Sequence, residues 1–195
     1  MEKGVSFRTP EVLERKANEI LQKAKSKGFY DFDSATPIDL IIEKIFRLKI
    51  FFTDLNKDFK GVLGALDLEN KVVWVDNSLN HTETHNFIDE ARCNYTIAHE
   101  GGHYTFHRSL YRKNENLVLF HDTTNPRTKA LEIQANMFAS FLLMPRDLVI
   151  KQWDIIDQYC PIEKALYEMT RFFKVSREAM INRLKFMGFI DINFK

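Results

Sequence analysis

Five consecutive residues, His99-Glu100-Gly101-Gly102-His103, constrain this chain more than any other segment. They fall within a stretch from Asn86 to His107 in which Ile88, Ala91, Tyr95, Ala98 and Gly102 recur at spacings of three and four. That is the pattern of a helix with one buried face. Residues four apart on a helix share a face, about 6 Å apart along its axis. Two imidazoles so placed can converge on one zinc ion, while the intervening glutamate acts as base on a water the metal activates. Two adjacent glycines each cost about 0.5–1 kcal/mol in a helix interior. A close backbone approach, or room at a metal, has to compensate.

A catalytic zinc needs a third protein ligand and an open position. His107 lies about 12 Å along the helix axis from His99, too far for three histidines to gather round one ion. The longer pattern, with a third histidine six residues after the second, fails at Ser109, and Phe106 stands where it expects glycine. Glu115, His121 and Asp122 fall in a loop rich in Asn, Asp and Thr, where a ligand is poorly held. Glu132 instead stands on a predicted helix that opens near Pro126 and stops before Pro145. Its neighbours Ala130, Leu131, Ile133, Ala135, Phe138 and Ala139 point to a largely buried helix. An unpaired carboxylate there is costly, and a metal compensates. Asn136, one turn further on, can orient a ligand histidine.

The rest of the chain supplies a scaffold. Thr9-Pro10 and Thr36-Pro37 are helix-opening signals, predicting helices over 10–27 and 37–46. Strands are expected at 48–53, 61–66 and 71–75, the last two flanking a hairpin turn at Asp67-Leu68-Glu69-Asn70. The edge of that strand pair could capture an extended substrate. Two more helices, 161–174 and 176–187, have the look of a helix-turn-helix, with Arg177, Asn182, Arg183 and Lys185 on the second. Lys and Arg total 28 against 27 Asp and Glu, which lacks the basic excess of a nucleic-acid binder. Cys93 and Cys160 have no paired spacing, so neither a disulfide framework nor a cysteine-built zinc site is expected. No signal peptide or membrane span is legible, and a cytoplasmic protein is the expectation. His81 and His85 also stand four apart, but in a polar segment that reads as surface.

The run Tyr95-Thr96-Ile97-Ala98-His99-Glu100-Gly101-Gly102-His103, with His107 beyond, resembles the signature helix of the ImmA/IrrE metallopeptidases. Leu131-Glu132-Ile133-Gln134-Ala135-Asn136-Met137-Phe138-Ala139, ending in Leu142-Leu143-Met144-Pro145, resembles that family's second motif. The likeness covers roughly Thr36 to Pro145, and the C-terminal helices more loosely. It implies a thermolysin-like site with His99, His103 and Glu132 as zinc ligands and Glu100 as catalytic base. Manganese or another divalent ion suits the same donors. Family members include intracellular proteases that cut helix-turn-helix repressors. The expected partner is therefore a transcriptional repressor encoded nearby, with no membrane and no direct DNA contact. Gly101 stands where the family usually has a large apolar residue, which implies looser packing, and the segment from Asn77 to Ala91 is longer than usual.

The expected fold is α+β and zincin-like: a small twisted sheet on an active-site helix, with a helical C-terminal part. The expected division is a metallopeptidase domain over 1–153 and a helix-turn-helix-like part over 154–195. Two rival readings are a repressor- or DNA-binding module with a structural metal, and a toxin-like partner of a toxin–antitoxin pair. A structural site has no need of Glu100, which separates the first rival from a hydrolase.

Overall fold

The computed structural model describes residues 7–80, 82, 86–110, 126–156 and 160–194. Helix α1, Pro10–Ser26, starts with proline where its missing N–H leaves no bond unmade, and buries Leu13, Ala17, Ile20, Leu21 and Ala24. Helix α2, Ile38–Ile41, runs into a wider π turn, Ile42–Phe46, where the isoleucine spacing had predicted one uninterrupted α-helix. Arg47, at φ 58°, closes that turn and redirects the chain into strand β1, Lys49–Thr53.

A short helix that periodicity did not signal, α3 (Leu55–Asp58), leads to strands β2, Gly64–Asp67, and β3, Val72–Asp76. These two pair antiparallel, with Leu66 opposite Val73, as the expected hairpin. The Asp67 carboxylate holds the turn by accepting from the Asn70 backbone at 2.9 Å and side chain at 2.8 Å. Strand β1 joins the far side of β3 in parallel, giving the order β1-β3-β2 and leaving β2 at an edge.

Five longer helices complete the described chain. They are α4, Phe87–Phe106; α5, Pro126–Leu143; α6, Arg146–Ile155, with α7 and α8 after it. The last two span Ile162–Phe173 and Arg177–Met187. Asn86 caps α4 by accepting from the Ile88 N–H at 3.0 Å. Helix α4 packs against β2 and β3 and along α5, and α1 packs on α5 as well. Leu21, Ile41, Val73, Ile97, Phe138 and Leu142 form a core that Met169, Phe173, Met180 and Leu184 of α7 and α8 also enter. This is an α+β fold with a small mixed sheet. His81, His85, Glu115, His121 and Asp122 lie outside the described residues. Among the described residues, no helix is long and apolar enough to cross a membrane.

Arg183 does not face outward as a base-reading side chain. It is buried and donates from Nε to the Met144 carbonyl at 3.0 Å and from Nη2 to Glu14 at 2.6 Å. Its guanidinium also lies 4.7 Å from the centre of the Phe141 ring. Met144 follows the end of α5, where carbonyl groups are left over and a cation is favoured. Arg183 thereby ties α8 to both α1 and α5, and Arg177 is paired with Glu163 at 2.7 Å. Removing one partner of a buried ion pair costs about 3–5 kcal/mol, because the other charge is left uncompensated. Glu14→Ala is expected to lower unfolding free energy by that order in a urea titration. A loss near 0.5 kcal/mol, the scale of a surface change, would show the pair to be incidental.

Candidate active site

The site exists because two helices touch at a glycine. A Cβ on Gly102 would sit 3.0 Å from the Ala135 Cα and 3.2 Å from its carbonyl oxygen. Lacking one, α4 lets the backbone of α5 come against it, which is the close approach that the paired glycines required. The room beside Gly101 is not left loose. The Phe46 ring and the Ile42 methyl group of the π turn fill it, at 2.9 and 3.2 Å from a built Cβ.

That contact carries Glu132 across to the histidines. Its Oε2 lies 3.3 Å from His99 Nε2 and its Oε1 3.4 Å from His103 Nε2. The two Nε2 atoms are 2.9 Å apart. One donor atom from each of the three residues falls within a 4.8 Å cluster. A tetrahedral ion with bonds of about 2.0–2.1 Å sets its ligand atoms about 3.3 Å apart, so the spacing suits a small divalent cation.

Electrostatics point the same way. The Nδ1 of His99 lies 2.9 Å from Asn136 Oδ1, an acceptor, so His99 donates there and turns Nε2 inward. All three side chains are buried, and Glu132 Oε1 has no hydrogen-bond partner among the described residues. Such a cluster of buried acceptors calls for positive charge. Burial opposes charging of His99, but Glu132, Glu100 and Asn136 outweigh it and its pKa is raised. Burial likewise favours the neutral Glu132 carboxyl, yet the His103 and His99 rings close beside it hold it at about 2. His103, fully enclosed, is pushed down to about 3 chiefly by burial. Two imidazoles and an anionic carboxylate together are a donor set that a divalent cation takes.

Glu100 stands apart from these donors, under the edge strand. A Cβ on Gly64 of β2 would lie 2.4 Å from Thr96 Cγ2 and 2.9 Å from Glu100 Oε1. Gly64 therefore lets β2 settle onto the carboxyl group. A glycine inside a strand is itself a signal of such close approach. Burial is the main cause that pushes the Glu100 pKa up to about 7, opposed by His99 and helped by Glu132. Its Oε2 has no hydrogen-bond partner among the described residues.

Tyr95 and Tyr104 of α4 lie outside the donor cluster. Tyr95 donates its hydroxyl to the Asn136 carbonyl at 3.1 Å, which steadies the residue that holds His99. Tyr104 packs on Phe46, with ring centres 5.7 Å apart. His107 is buried one turn beyond His103 and meets it through Nδ1, on the side away from Glu132.

A peptidase family model described as the IrrE N-terminal-like domain matches residues 44–185. No curated protein matches the chain in sequence. Among nine matching solved chains is a Mycobacterium tuberculosis transcriptional regulator, at 17% identity and a TM-score of 0.58. The match covers 90% of this chain but 46% of the regulator, so this chain spans about half of that protein's length. At that identity the likeness speaks to the fold alone.

In an unobstructed helix, alanine in place of glycine stabilises by about 1 kcal/mol. At Gly102 the added methyl meets backbone, and overpacking of about 1–3 kcal/mol is expected to prevail. Chemical denaturation of Gly102→Ala checks this: a more stable variant would remove the close-approach argument.

Proposed function

The chain belongs to the peptidase family of the IrrE N-terminal-like domain, and from that premise we propose that it is a metal-dependent endopeptidase. The observation that carries this reading is the convergence of His99, His103 and Glu132 donors within 4.8 Å, with the Glu100 carboxyl beside them but outside the cluster. His99, His103 and Glu132 would hold the ion, zinc being the metal that best suits two imidazoles and one carboxylate. A bound zinc would supply Lewis acidity, lowering the pKa of a water it holds to about 7 and polarising a peptide carbonyl.

Glu100 does the proton work. Its carboxylate takes a proton from the attacking water as the oxygen adds to the carbonyl carbon. It then delivers that proton to the nitrogen as the C–N bond breaks and the amine leaves. The raised Glu100 pKa suits a group that must both accept and release a proton near neutrality. A structural metal site has no use for a buried carboxyl of this kind, which favours the hydrolase over the binding-module reading.

The surroundings support a polypeptide substrate. Strand β2 is an edge strand with Gly64 against Glu100, so an extended segment added to that edge would pass over the site. A groove bounded by Leu63, Arg92, Tyr95, Asn136, Ala179 and Asn182 continues between α4, α5 and α8. We take the substrate to be a helix-turn-helix transcriptional repressor encoded nearby, as the family resemblance implies. The catalytic unit is then residues 1–153, and the helices of 154–195 form one wall of the approach.

Glu100→Gln is expected to retain bound zinc, measured by elemental analysis. It should cut repressor cleavage by about 10²–10⁴-fold, followed by gel and mass spectrometry. Cleavage at the wild-type rate by that variant would eliminate Glu100 as the base.

A further inference from the structure

His107 has no place in the donor cluster, yet it is buried and its ring nitrogen is aimed at a donor residue. Its Nδ1 lies 2.9 Å from the Nδ1 of His103, and its ring centre is 5.0 Å from that of His103. The Nε2 atoms of His99 and His103 would both face a cation, but these two outer nitrogens have none to share, so at this distance they share one proton: one donates and the other accepts.

The direction of that bond follows from the atoms around it. His103 turns its other nitrogen, Nε2, toward His99 Nε2 at 2.9 Å and Glu132 Oε1 at 3.4 Å. If His107 donated, a neutral His103 would carry its proton on Nε2, and no lone pair would face the cluster. If His107 accepts, the His103 proton sits on Nδ1 and the Nε2 lone pair points at His99 and Glu132. Only the second arrangement lets His103 serve as a ligand. His99 is treated in the same way, by a different group, since its Nδ1 donates to Asn136.

We infer that His107 is a positioning residue that accepts the Nδ1 proton of His103 and thereby fixes the tautomer and ring orientation in which His103 binds the metal. This rests on the metallopeptidase reading and adds a member to its machinery. The geometry comes from the helix itself. His99, His103 and His107 recur every fourth residue, so each ring sits one turn beyond the last and drifts about 40° around the axis. That drift carries His107 past the metal cluster and onto the outer nitrogen of His103. His107 is also the residue that ends α4, its backbone N–H bonding the His103 carbonyl at 2.8 Å. Ring and backbone therefore anchor the same neighbour.

The inference predicts a contrast between two substitutions. Asparagine places a carbonyl oxygen close to where imidazole Nδ1 was, so His107→Asn keeps an acceptor, whereas His107→Leu fills the space without one. Zn²⁺ titration against a competing chelator should show affinity lowered about 10–100-fold in His107→Leu, with His107→Asn close to wild type. Unchanged affinity in a folded His107→Leu would overturn the inference while leaving the metal site intact. Equal losses in both variants would do the same, since they would mark a packing role. Should the leucine variant fail to fold, the zinc-loaded wild-type chain decides the matter through its histidine ¹⁵N resonances. A proton on His103 Nδ1 and a bare His107 Nδ1 are expected, and a protonated His107 Nδ1 would sink the idea. A wild-type chain that binds no Zn²⁺, Co²⁺ or Mn²⁺ would instead overturn the metallopeptidase reading and this inference with it.

Discussion

The contact between α4 and α5 at Gly102 and Ala135 is the constraint from which the rest of the site follows. A carboxylate on a neighbouring helix reaches a pair of imidazoles only if the two backbones come close enough for a short side chain to span the gap. Glu132 spans it, ending 3.3 and 3.4 Å from the two Nε2 atoms. The helix propensity lost at a glycine, about 1 kcal/mol, is thus exchanged for inter-helix distance. The neighbouring Gly101 plays a separate part, since it receives Phe46 from the π turn on another side of the helix. Two glycines in sequence therefore admit two different structures to the same stretch of helix.

Around that contact the polar groups are arranged in one direction. Asn136 accepts from His99, Tyr95 steadies the Asn136 backbone, and His103 meets His107 through its outer nitrogen. Each outer bond helps to turn an inner lone pair toward the centre. The consequence is a buried concentration of acceptors beside an anionic carboxylate, which is unfavourable without a cation among them. A bound cation would act on stability as well, because the same burial that makes the cluster costly would make the ion effective.

The C-terminal helices illustrate a different use of charge. A helix-turn-helix outline with arginines on its second helix invites a nucleic-acid reading, but the fold turns Arg183 inward to Glu14 and the Met144 carbonyl. Helix α8 is thereby clamped to α1 and to the end of α5, close to the groove that continues from Asn136. An arginine that looks available in a linear sequence can be buried as deeply as the core beside it.

Local rules were enough for much of this protein. The four-residue spacing of His99 and His103 on an apolar helix determined that both imidazoles share a face, and proline and capping residues placed the helix starts within a residue or two. Burial of the Glu132 helix was legible from its alanines and large apolar neighbours, and the hairpin from Asp67 and Asn70. Short-range patterns carry such information because they depend on bonds between residues a few positions apart. The π turn, the parallel pairing of β1 with β3, the seating of Gly64 on Glu100 and the inward turn of Arg183 depend on residues tens of positions apart. Only tertiary packing decided these, because which backbone approaches a glycine, and which carboxylate meets a buried arginine, is settled by how helices and strands fit against one another.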